Sequence, residues 1–136
     1  IIIDSPPALG PITINTLSAS TSVLIPIQCE FFALEGLAQL LNTIKLVKQT
    51  INQNLQIRGF LPTMYSSQNN LSKQVFADLA QHFESKLFKI DEESYVVIPR
   101  NIKLSESPSV GKPIMLYDTN SIGTKAYTNL ARAIAG

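Results

Sequence analysis

The chain opens on a continuous run of three β-branched apolar residues, Ile1-Ile2-Ile3. A run without alternation suits a strand buried on both faces, as in a parallel sheet. Asp4-Ser5-Pro6-Pro7 ends it, because proline cannot continue a central ladder. A short helical stretch is expected around Ile12 to Ala19. Val23-Leu24-Ile25 predicts a second buried strand, closed by Pro26. From Phe31 to Ile51, Leu34, Leu37, Leu41, Ile44, Val47 and Ile51 recur at helical spacing, with Lys45 and Lys48 off the stripe. Ile57 to Leu61 predicts a third strand with Pro62 near its end. Asn69 or Asn70 is placed to cap the next helix, whose stripe is Leu71, Val75, Phe76, Leu79, Ala80 and Phe83.

Leu87 to Ile90 and Tyr95 to Ile98 read as short strands flanking the acidic turn Asp91-Glu92-Glu93. Arg100 to Asp118 is polar and proline-containing and reads mostly as loop. A last helix is expected from Ser121 to Ala135, with Ala126, Tyr127, Leu130, Ala131 and Ile134 on one face. Strands and helices alternate along the whole chain. This predicts an α/β fold of three layers, a mainly parallel sheet with helices on both faces. No internal repeat interrupts the order. Because Ile1-Ile2-Ile3 reads as a strand already in progress, the chain is expected to be cut from something longer.

Composition narrows the function classes. The 136 residues suit one domain or a piece of one. Hydrophobic residues make up 45% and charged residues 15%, which argues against disorder and predicts that some of the surface is normally covered. The net charge of +1 excludes a globally basic nucleic-acid binder, but the basic excess gathers after Arg100. Cys29 is the only cysteine, which excludes an internal disulfide framework and a multi-cysteine metal site. His82 is the only histidine, which leaves little for a histidine-based triad. No apolar run reaches the ~20 residues of a membrane span, and a reducing cytoplasm is the expected setting.

In a parallel sheet, ligands bind at the carboxyl ends of the strands. Polar residues recur at those positions: Asp4, then Gln28-Cys29-Glu30, then Thr63-Met64, then Pro99-Arg100-Asn101. Asp4 follows its apolar run directly, the placement by which a phosphate-binding ATPase holds magnesium, usually through water. The plain alternative is a turn residue. Glu30 suits either a catalytic or interface role or simple compensation of a helix dipole. Cys29 is expected to be a small buried hydrophobe. Arg100, Lys103 and Lys112 are loop cations suited to phosphate or to solvent alike.

The strings IIIDSPPALG, VLIPIQCEFFALEGLAQLLNTI, IRGFLPTMY, VVIPRNIKLSESPSVGKPIMLYD and GTKAYTNLARAI, in that order, closely resemble the C-terminal half of the ParA/Soj family. These are chromosome- and plasmid-partitioning ATPases with a deviant Walker A motif, related to MinD. The resemblance covers essentially all 136 residues. It implies that residues 1–136 form the C-terminal portion of a single ParA-type ATPase domain with a P-loop NTPase-like fold. It implies that Asp4 is the Walker B aspartate, acting in catalysis through Mg2+, and that Pro6 and Pro7 stiffen a loop sensing the γ-phosphate. Gln28 and Glu30 then fall near the nucleotide and the dimer interface, and Thr63, Met64, Pro99 and Arg100 match segments lining the adenine pocket. The implied cofactors are ATP and Mg2+. The implied partners are a ParB/Spo0J-type protein, nonspecific DNA of the nucleoid, and a second copy in an ATP-bound homodimer.

The sequence also departs from the family. No Gly-rich phosphate loop occurs, since Gly10, Gly36, Gly59, Gly111, Gly123 and Gly136 are isolated. With the N-terminal P-loop part missing, the segment alone is expected to be inactive. Gln68 stands where many relatives carry a cation tied to DNA contact, which shifts the expected DNA contacts to Lys103, Lys125 and Arg132. Asp91-Glu92-Glu93 reads as a lengthened surface turn. The competing reading is a non-enzymatic ParA-like interaction module. A MinD-like membrane anchor is disfavoured because the tail after Ala131 carries one cation and no large aromatic residue, so no stable membrane association is expected.

Overall fold

The computed structural model describes all residues from Ile1 to Gly136. Its elements are α1 (Pro11–Ala19), β1 (Ser22–Gln28), α2 (Ala33–Thr50), β2 (Gln56–Thr63), α3 (Asn70–Phe83), α4 (Ile102–Glu106), α5 (Ile114–Tyr117) and α6 (Ile122–Ala135). Strands β1 and β2 pair in parallel, as expected for two strands joined through a helix. Apolar side chains leave the sheet on both faces. Ile25, Ile27 and Phe60 pack with Leu17, Leu37, Ile44, Val47, Val75 and Leu79 of α1, α2 and α3. On the other face, Leu61 packs with Val96, Ile98 and Leu130 of α6. The three layers are therefore present.

A bulge keeps the two faces consistent. The register steps from Val23↔Ile57 to Leu24↔Gly59, so Arg58 is the extra residue. Without it, Ile57 and Phe60 would leave opposite faces; with it, both join the α2–α3 side. The inserted Arg58 donates from its guanidinium to the Ile134 carbonyl near the end of α6.

β1 runs through Pro26, which the sequence suggested as its stop, while Pro62 lies near the end of β2 as expected. The Cys29 amide donates to the Thr63 carbonyl at 3.0 Å, so the odd-numbered residues of β1 face β2. Pro26 is out of phase and lies toward the open edge, where no ladder donor is needed. Pro62 faces the opposite neighbour and accepts from the Ile98 amide at 2.9 Å. It has no N–H to return, which interrupts the ladder on that side. Accordingly Leu87 and Pro99 meet β2 and its extension only through isolated bridges to Phe60 and Tyr65.

Other expectations change as well. Ile1-Ile2-Ile3 is not a strand here: all three residues are exposed and unpaired. Leu87–Ile90 and Tyr95–Ile98 form a small hairpin joined by a Lys89↔Tyr95 bridge rather than two full strands. Arg100–Asp118 is not mostly loop, since it holds α4, α5 and a 3-10 turn over Ser107–Val110. Asn101 caps α4 through its side chain, accepting from the Lys103 amide. The buried face of α6 is rotated from the expected one. Gly123, Ala126, Leu130 and Ala133 turn inward, and Tyr127 and Ala131 are exposed. No helix is long and apolar enough to cross a membrane.

Candidate functional site

The carboxyl ends of β1 and β2 and of the segment ending at Pro99 converge on one rim. Gln28, the last residue of β1, is in register with Thr63, the last residue of β2. Tyr65 bridges Pro99 in parallel. Its amide donates to the Ile98 carbonyl at 3.1 Å, and its carbonyl accepts from the Arg100 amide at 2.9 Å. The Arg100 side chain then crosses to Glu30, with Nη2 3.5 Å from Oε1. Gln28, Glu30, Thr63, Met64, Pro99 and Arg100 are thus brought together as the sequence suggested.

Met64 sits at the middle of this rim with φ of 53°, the only residue other than glycine in the left-handed region. A side chain with a Cβ is disfavoured there, at a cost of roughly 1–2 kcal/mol. The surroundings hold it: Thr63 and Tyr65, on either side, are both pinned by backbone hydrogen bonds. The sequence offered no signal for this, because neither Met64 nor its neighbours are of the glycine or asparagine type that advertises a left-handed backbone.

Next to the rim, a groove of about 440 Å3 follows the open edge of β1. Ile25, Ile27, Leu37, Phe31 and Phe32 line it, with Glu30 at its polar end. Phe31 and Phe32 are exposed and pack edge to face at 5.0 Å. Cys29 is buried as expected, and burial pushes its thiol up to about 11, against a small opposing effect of Thr63. It is an unreactive thiol at neutral pH.

Asp4 and Pro6 are not drawn into the rim. Both are exposed, and the Asp4 carboxylate has no hydrogen-bond or ion-pair partner. The reason is the unpaired Ile1-Ile2-Ile3 run, which leaves Asp4 off a strand end. Downstream, Thr13 Oγ1 donates to the Ala8 carbonyl at 2.6 Å and ties residues 6–8 to α1. No group of three or more acidic, cysteine or histidine side chains is placed to hold a metal.

The three suggested DNA contacts occupy two places. Lys125 and Arg132 are exposed on α6, seven residues apart and so about 10 Å along the helix on one side. Lys103, on α4, is already engaged. Its ammonium lies 3.3 Å from Glu106 and over the ring of Tyr117. Tyr117 donates to the same carboxylate at 2.8 Å. The Tyr117 hydroxyl and then Lys103 hold the Glu106 carboxyl below its usual range, and Glu106 pushes Lys103 up. Sequence reasoning missed this cluster, although the three-residue spacing of Lys103 and Glu106 on a helix was its signal. A similar group, Glu84 with Lys89 and Tyr95, pins the acidic hairpin.

Sequence comparison bears on the family. Over 99% of its length the chain is 52% identical to the sporulation initiation inhibitor protein Soj of Bacillus subtilis. Over 98% it is 46% identical to the chromosome partitioning protein ParA of Caulobacter vibrioides. The sequence belongs with the ParA/Soj family. The chain spans about half the length of these curated relatives, 51% of Soj and 48% of ParA. A family model described as an AAA domain matches residues 1–57. Among solved structures, cobyrinic acid a,c-diamide synthase of Mycobacterium smegmatis superposes with a TM-score of 0.70 at 33% identity, over 97% of this chain and 44% of that one. The same enzyme solved with an ATP analogue and magnesium gives 0.69. The fold is P-loop NTPase-like.

Proposed function

We propose that this chain forms part of a ParA/Soj-type ATPase that acts in chromosome or plasmid partitioning, through ATP-dependent dimerisation and nonspecific DNA binding. The observation that carries this reading is the 52% identity to Soj along essentially the whole chain. The convergence of Gln28, Thr63, Met64, Pro99 and Arg100 at the strand ends supports a nucleotide rim there.

Asp4 is the residue proposed to hold Mg2+ beside bound ATP, although in this structure it lies away from the rim. Magnesium keeps several waters and commonly takes only one or two protein carboxylates beside phosphate oxygens. A free Asp4 carboxylate with no competing partner suits that role, and a cage of several carboxylates is not required. When bound, Mg2+ neutralises charge developing on the phosphates. Thr63, Met64 and Pro99 present backbone at the rim for the base, and Arg100 with Gln28 borders it. Lys103, Lys125 and Arg132 are the proposed DNA contacts. A ParB/Spo0J-type protein is the proposed stimulating partner, and the proposed location is the nucleoid in the cytoplasm.

Mg-ATP binding and hydrolysis by the intact natural gene product test this reading. Hydrolysis is expected, and Asp4→Ala should abolish most of it while nucleotide binding persists. Hydrolysis unchanged in that variant removes Asp4 from the metal site. An intact protein that binds no Mg-ATP replaces the ATPase reading with that of a non-enzymatic interaction module.

A further inference from the structure

The rim contains a closed ring of bonds around Met64. From Glu30 the chain steps back to Cys29, whose amide donates to the Thr63 carbonyl at 3.0 Å. Thr63, Met64 and Tyr65 follow covalently. The Tyr65 carbonyl accepts from the Arg100 amide at 2.9 Å, and the Arg100 side chain returns to Glu30 at 3.5 Å. Every other noncovalent link in this ring is backbone to backbone. The ion pair is the single side-chain link, and it alone joins the loop after β1 to the segment after Pro99.

Both side chains of the pair are more than half exposed. Such a pair contributes little to global stability. Its position gives it a different task. The ring encloses the one residue held at positive φ without being glycine, and a strained backbone persists only where its surroundings over-determine it. We propose that Glu30 and Arg100 form a latch that positions the Met64 backbone for reading the purine base, so that the pair sets base discrimination without contacting the phosphates. The proposal rests on the nucleotide-binding reading above.

The test uses the intact protein, titrated by calorimetry with Mg-ADP and with Mg-GDP. Glu30→Gln and Arg100→Gln are each expected to weaken Mg-ADP binding by about fivefold, the range of an exposed pair. Mg-GDP binding should stay within experimental error of the wild type, so that the preference for adenine shrinks. The reversed pair, Glu30→Arg with Arg100→Glu, should recover most of the lost Mg-ADP affinity. An Arg100 acting on the phosphates would instead weaken both nucleotides alike, and reversal would not rescue it; that result overturns the latch. Unaltered Mg-ADP affinity in both single variants overturns it as well and leaves the ATPase reading standing. A wild-type protein that binds neither nucleotide overturns both.

Discussion

Gly59 lies directly beneath the ring of Phe88. A Cβ on Gly59 would fall 2.8 Å from the Phe88 ring and 2.7 Å from the Lys86 carbonyl oxygen. The residue follows the Arg58 bulge and lets the chain around Leu87 approach β2 closely enough for the Phe60↔Leu87 bridge. Gly59→Ala must therefore move backbone as well as a ring. We expect a loss of about 3 kcal/mol, at the upper end of overpacking costs, read from denaturant unfolding of the intact protein. Gly123→Ala is the informative companion. Its Cβ would meet Leu104 Cγ at 2.6 Å, but that obstacle is a side chain at a half-buried position that can turn aside. Its cost should be about 1 kcal/mol. Equal costs at the two sites would show that the backbone near Lys86 is freer than the packing implies.

Met64 gives a second, sharper comparison. Its φ of 53° is a glycine-type conformation. Met64→Gly removes the left-handed cost but loosens the unfolded chain, so stability should change by less than about 1 kcal/mol. Met64→Val places a β-branched residue where the left-handed region is least tolerated, and should destabilise by about 2 kcal/mol. Thermal unfolding of the two variants side by side checks this. A neutral Met64→Val would mean that the rim relaxes out of the left-handed conformation without penalty.

The helices were the most legible part of the chain because their apolar spacing repeats over several turns. α2 and α3 match the middles of their stripes, with Leu37, Ile44 and Val47 buried in one and Val75 and Leu79 in the other, while Leu34, Ile51 and Leu71 at the stripe ends are exposed. What misled was Pro26: a proline signals a strand end only if its missing N–H would lie toward a paired neighbour, and that phase depends on tertiary pairing. The stretch after Arg100 was misread because its elements are single turns, too short for periodicity to register. The end residues of the rim were recoverable because each follows an apolar run. The Glu30–Arg100 pair was not, since seventy positions separate its members and only the sheet brings them together. Ile1-Ile2-Ile3 shows the converse: the run has strand character in the sequence and yet is exposed and unpaired.

The Cys29 thiol predicts a pH dependence with a definite sign. Burial raises it from 9.0 to about 11, so the folded state favours the neutral thiol. Between those values the unfolded chain releases a proton that the folded chain retains. The contribution is fully present below pH 9.0 and is lost as pH rises toward about 11. Cys29→Ala should flatten the alkaline limb of the stability curve over that window. In the native protein, thiol-specific alkylation at pH 8 should be slow until denaturant is added. Rapid native labelling would show that the end of β1 opens readily.

The Lys103–Glu106 pair bears directly on the proposed DNA binding. At neutral pH both groups are charged, because each shifts the other further from neutrality. Lys103 therefore meets a phosphate with the Glu106 carboxylate competing for it, and Tyr117 keeps that carboxylate in place. Glu106→Gln removes that competitor and one negative charge from α4. If Lys103 contacts DNA in the intact protein, this variant should bind nonspecific duplex more tightly and with a salt dependence steeper by about one counterion. Lys103→Ala combined with Lys125→Ala and Arg132→Ala should flatten the salt slope by up to about three. Placing Glu106→Gln on a Lys103→Ala background separates the two effects. A gain that survives there comes from the general loss of a negative charge, whereas a gain that vanishes assigns the phosphate contact to Lys103.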